Sequence, residues 1–161
     1  MRNSAIVFIT LVFTVALANA QNPQTPAPAV PADDYSGMYA FLQDGEFVQL
    51  TVEDQGLVTG LISRYADSTG DKHEFIDQFF KQGKLDGTKL TFTTKPVQDI
   101  WYDFSGTIER GDGQNAGDEG YYVLKGKLTR YATDASKKTS EKSQQVAFKS
   151  FPKDLDSAPA K

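Results

Sequence analysis

The chain has 161 residues and a formal net charge of −4, with 17 Lys and Arg against 21 Asp and Glu, one histidine and no cysteine. A net acidic chain with no basic run argues against nucleic acid or an anionic membrane surface as partner. The absence of cysteine rules out a disulfide scaffold, so the fold must rest on packing, for which 11 Phe, 7 Tyr and 1 Trp supply the material.

Met1 and Arg2 form a short basic head before the apolar run AIVFITLVFTVALA, residues 5–18, and the small-x-small site Ala18-Asn19-Ala20 follows. This pattern predicts a secretory signal peptide over residues 1–20. Its apolar run of 14 residues falls short of the roughly 20 that cross a bilayer. The reading implies an exported protein, periplasmic or extracellular and not membrane-spanning, that begins at Gln21. Next comes QNPQTPAPAVPADD, residues 21–34, whose Pro23, Pro26, Pro28 and Pro31 predict an extended linker. At the other end PKDLDSAPAK, residues 152–161, predicts a disordered tail. The folded unit is then residues 35–151, the size of one domain.

Within that unit short alternating apolar segments are separated by turn residues. GMYAFL (37–42), EFVQLTVE (46–53) and LVTGLIS (57–63) are divided by Gln43-Asp44-Gly45 and Asp54-Gln55-Gly56. Asp86-Gly87, between KQGKL and KLTFTT, is a hairpin signal, because a tight turn needs the positive φ that glycine and aspartate tolerate. In HEFIDQFFKQ (73–82), Phe75, Ile76, Phe79 and Phe80 recur at helical spacing. Over so few residues the period does not separate helix from strand, and a strand running on from Phe79 after one short helical turn is expected. IWYDFSGTIE (100–109), a Gly-rich loop (110–120), YYVLKGKLTRYA (121–132), a polar segment (133–143) and QQVAFKSF (144–151) complete the unit.

About eight strands in neighbour order make an antiparallel meander. Alternation puts Val48, Leu50 and Val52 on one side, with Leu90, Phe92, Phe104, Ile108, Tyr122, Leu124, Leu128, Val146 and Phe148. A sheet with one apolar face and little else to cover it does so most simply by rolling up. The expected fold is all-β, a single up-and-down antiparallel β-barrel.

SGMYAF, residues 36–41, resembles the opening G-x-W strand of lipocalins and avidins, with Tyr39 where those families have Trp, and GLVTGLI, residues 56–62, is similar to the G-x-L-T-G third strand of avidins. The residues that contact biotin in avidin have no position-by-position match here. What the resemblance implies is a calycin-like barrel and a ligand-binding habit.

His73, in the polar stretch STGDKHEF, lacks a G-x-S-x-G partner motif and reads as a solvated side chain rather than a catalytic one. One histidine and no cysteine exclude a zinc site built from those residues, and Asp71, His73 and Glu74 lack a recognised ligand spacing. The loop with Asp112, Asn115, Asp118 and Glu119 departs from the calcium-loop pattern at Gln114 and Ala116. No metal and no cofactor is expected. Trp101, Asp103 and Ser105 would suit a sugar or small polar ligand, while Tyr102, Phe104 and Ile108 on the other face read as core.

The expected function is a non-enzymatic module that binds a hydrophobic or amphipathic small molecule in the barrel. Its candidate contacts are Phe41, Leu50, Phe92, Trp101, Asp103, Phe104, Tyr122 and Phe148. The alternative is an interaction or structural protein with a filled barrel that binds protein or glycan through its loops. A third reading is an enzyme that uses Asp103 within a carboxylate pair.

Overall fold

The computed structural model describes residues 35–67 and 74–153. The leader, the linker, the tail beyond Lys153 and the segment that holds Asp71 and His73 lie outside the described residues. Eight strands follow in order: β1 (Gly37–Ala40), β2 (Phe47–Val52), β3 (Val58–Tyr65), β4 (Phe75–Asp86), β5 (Lys89–Thr94), β6 (Ile100–Arg110), β7 (Tyr122–Thr133) and β8 (Thr139–Lys149). Each pairs antiparallel with the next, and a 3-10 turn at Asp54–Gly56 joins β2 to β3. Among the described residues no helix is long and apolar enough to cross a membrane.

The alternating apolar set faces inward as its period dictates. Val48, Leu50, Val52, Leu90, Phe92, Phe104, Ile108, Tyr122, Leu124, Leu128 and Phe148 are all buried, and Val146 packs against them. Phe92 stacks between Phe80 and Phe104, with ring centroids 4.3 and 5.2 Å away, and Phe148 joins Phe104 to Phe41. These rings fill the middle of the barrel. Room for Phe104 comes from Gly106 on the same inner face, where a Cβ would stand 2.7 Å from its ring and 2.2 Å from the carbonyl of Lys125. The hairpin at Asp86-Gly87 forms as expected, with Gly87 at φ 60° and Asp86 paired to Lys89.

Two elements differ from the sequence reading. Phe75 to Phe79 form no helical turn, because β4 is extended from Phe75 onward. The helical spacing arises because both faces of this strand carry large apolar residues: Ile76 and Phe80 point in, while Phe75 and Phe79 point out and are exposed. Gln78, fully buried, takes the inward position between Ile76 and Phe80 and so erases the alternation. A bulge between Phe80 and Gln82 lets β4 pair with β3 through its first half and β5 through its second. The other difference is β8, which begins at Thr139, inside the segment read as a polar connection. Residues 139–145 are exposed, so no apolar period marks them. Hydroxyl pairs across the hairpin, Thr133 with Thr139 and Thr129 with Ser143, tie them to β7.

Closure is uneven. Tyr39 bridges Ser150, and the Phe151 N–H donates to the Met38 carbonyl at 2.8 Å, so β1 meets the end of β8. Because β1 stops at Ala40, the other half of the inner edge of β8 has no strand opposite it, and the molecule is a half-barrel open toward one end.

Two measurements check this core. Phe104→Ala removes the ring that links both aromatic neighbours and should lower unfolding free energy by about 3–5 kcal/mol in denaturant titration; a loss under about 1 kcal/mol would mean the barrel is not filled there. Burial, and then Tyr122 and Tyr35, hold the Tyr39 phenol above its ordinary 10.0. Folded and unfolded chains both keep this proton below pH 10, and above it the unfolded chain releases the proton first, so stability falls as pH climbs toward the raised folded value. The denaturation midpoint should therefore decline above pH 10, and Tyr39→Phe should make that decline shallower.

Candidate functional site: a polar mouth on an aromatic barrel

Phe41 to Gln43 after β1, Arg64 to Asp67 at the end of β3, Tyr102 of β6 and Arg130 of β7 come together at the open end. There the interior changes character. Arg64, near the end of β3, is 2% exposed, and its Nε donates to Oε1 of the buried Gln78 at 2.7 Å. Gln78 Nε2 in turn donates to the carbonyls of Ile100 and Lys95. The Ile100 carbonyl is held by a tight turn in which Val97 and Ile100 exchange backbone bonds across Gln98 and Asp99, both at positive φ. This polar floor rests directly on the aromatic core, with Tyr102 and Phe41 edge to face at 5.6 Å.

Above the floor, Arg64 Nη1 donates to the Tyr65 carbonyl and to Asp67 Oδ2, at 2.9 and 3.1 Å. Arg64 Nη2 is buried and has no hydrogen-bond partner among the described residues. An unsatisfied buried donor costs about 1–3 kcal/mol, and more on a charged group. Arg130 on β7 reaches the same Asp67 oxygen at 3.2 Å. Burial raises the Tyr102 phenol, and the charges of Arg64 and Arg130 oppose that shift. Glu46, 3% exposed, accepts from the backbone N–H groups of Gln43 and Tyr65, which fixes the rim.

These groups line a depression of about 230 Å³. A second one of about 300 Å³ shares Leu42, Tyr102 and Arg130 with it and continues along the open seam past Leu128, Lys142 and Gln144. The mouth therefore combines apolar wall with cationic side chains.

The sequence-predicted residues fall into three places. Phe41, Phe92, Phe104 and Phe148 come together in the aromatic core, and of these Phe41 also reaches the mouth. Leu50 and Tyr122 are buried in the same core, with Tyr122 stacked edge-on against Tyr35. Trp101 and Asp103 are on the outer face, where Trp101 stacks on Tyr131 at 5.1 Å. A groove of about 540 Å³ runs there beside Asp103, Ser105 and Tyr131. Burial first, then the charges of Asp103 and Glu141, push the Tyr131 phenol up. No second carboxylate lines this groove, so the pair that glycoside cleavage needs is missing from it. In the 110–120 loop, Asp118 Oδ2 accepts from the backbone of Gln114 and Asn115, which makes it a turn brace.

Sequence reasoning passed over Arg64, Gln78, Asp67 and Arg130. The legible signal was a polar residue at an inward position: Arg64 continues the inward series of Val58 and Ile62, and Gln78 interrupts that of Ile76 and Phe80.

No family model matches the chain, and no curated protein matches it in sequence. Among solved structures it is similar to a rhizavidin–biotin complex at 17% identity and TM-score 0.52, over 71% of this chain and 98% of that one. Rhizavidin matches at 16% and 0.53, over 74% and 84% of the two chains. Apo short afifavidin matches at 16% and 0.52, over 76% and 98%. The fold is a calycin-like barrel of the avidin type.

The floor predicts a double-mutant result. Gln78→Leu strands the Arg64 Nε and should cost about 2–3 kcal/mol in unfolding free energy. The pair Arg64→Met with Gln78→Leu replaces both partners by apolar groups and should cost less than Gln78→Leu alone; additive losses would show that the two do not act together.

Proposed function

We propose that the chain is an exported, non-enzymatic module that binds an amphipathic small molecule at the open end of its barrel. The observation that carries this reading is Arg64, a charged side chain buried on top of an aromatic core with one guanidinium nitrogen unpartnered among the described residues. A structural arginine would have its donors satisfied, whereas a ligand site presents donors that the ligand completes. The filled middle moves the site from the lumen to the mouth. The likeness to avidin-type barrels, one of them a complex with biotin, supports small-molecule binding as the use of the fold, and the leader-like residues 1–20 support export.

A second reading is favoured by Phe75 and Phe79, 46% and 55% exposed on the outer face of β4, with Tyr65 packed on Phe75 at 4.6 Å. Exposed aromatics of this kind suit a protein or glycan partner.

Native mass spectrometry of the protein purified from its own host, compared with its denatured mass, separates the two. A bound mass that is lost on denaturation is expected. A bare protein that takes up none of a panel of fatty acids, retinoids, biotin and sugars would sink the first reading and leave the β4 surface as the working site.

A further inference from the structure

The charges at the mouth do not cancel. Among the described residues that line the two adjoining depressions, Arg64, Arg130 and Lys142 stand against Asp67 and Glu46, which leaves one positive charge over in a chain whose total is −4. The acids are also spent: one Asp67 oxygen serves both guanidiniums, and Glu46 is taken up by backbone N–H groups. Lys142 stands directly opposite Arg130 on the paired strands β7 and β8, and like charges in that position repel. Lys142 has no ion-pair partner among the described residues. Apolar wall flanks the cations, in the form of Leu42 at 41% exposure and the buried Leu128 and Phe41.

From this we infer that the ligand is an organic monoanion with an apolar tail, a carboxylic acid in its ionised form. The inference rests on the small-molecule reading above and names the chemistry of its head group. A carboxylate has two oxygens, each able to accept from more than one donor, and a single negative charge that matches the surplus. It completes the Arg64 Nη2, relieves the repulsion between Arg130 and Lys142, and is held by charge-assisted bonds beside Tyr102 and Phe41. The tail runs along the open seam between β1 and β8, where Leu42 and Leu128 lie. That route exists because β1 ends at Ala40 and leaves the neighbouring edge of β8 unpaired.

The test is calorimetric titration of the full chain with three probes that share one tail: decanoate, decanol and decylamine. Decanoate should bind about tenfold or more tightly than decanol, with decylamine weakest, and its affinity should fall with added salt. Arg64→Gln should remove that preference, bringing decanoate affinity down to that of decanol. Because Arg64 is buried and its loss threatens the fold, Lys142→Gln, at an exposed position, repeats the test and should lower decanoate affinity several-fold with no loss of melting temperature. Equal binding of decanoate and decanol would overturn the anion inference and leave the small-molecule reading intact. No binding of any probe would overturn it as well, and the host-purified mass comparison would then decide the small-molecule reading by itself.

Discussion

The stack of Phe80, Phe92 and Phe104 through the centre of the sheet is the constraint on which the rest of the molecule depends. An eight-stranded antiparallel sheet with one apolar face has to cover that face, and here it does so by curling around its own aromatic side chains. With no cysteine in the chain and no covering helix among the described residues, these contacts carry the fold. They also decide where a ligand can sit, because a middle occupied by rings leaves space only at an end or on the outside.

The two ends are built differently. At one, Tyr39, Ser150 and Phe151 draw the first and last strands together, and the Tyr39 hydroxyl donates to the Tyr35 carbonyl at 2.7 Å. At the other, β1 is too short to meet β8, the β7–β8 hairpin projects beyond the core, and the interior becomes polar. Such an arrangement puts Arg64 in a low-dielectric setting where its interactions are stronger than in water and where an unmade one is expensive. Gln78 makes that burial tolerable by accepting a hydrogen bond from the Nε–H and donating its own amide N–H groups to two backbone carbonyls. The same bonds hold the β5–β6 turn against the floor. Structural support and the candidate binding group are therefore parts of one network, and the Gln78 side of it can be probed separately from the Nη2 side.

Much of the architecture was legible because period-two alternation is a direct consequence of strand geometry, and the turn residues between runs mark where each strand must end. The strands missed or blurred were those in which the period carried no information. β4 has aromatics on both faces and glutamine at an inward position, and the first half of β8 faces solvent on both sides. The outer placement of Trp101 and Asp103 and the inner placement of Tyr102 and Phe104 followed from the alternation, but their meaning did not. Trp101 pairs with Tyr131 from the neighbouring strand, a contact set by register rather than by any local pattern.

By itself, then, the sequence determined the strand order, the face each apolar residue takes and the reliance on packing in place of disulfides, since these depend on local geometry and composition. Whether the barrel is hollow or filled, which end is open, and that Arg64, Asp67, Tyr102, Arg130 and Lys142 converge there were decided only in three dimensions. Those residues are contributed by β3, the segment after it, β6, β7 and β8. Strand register and the early end of β1 bring them together, and neither is visible in any one stretch of the chain.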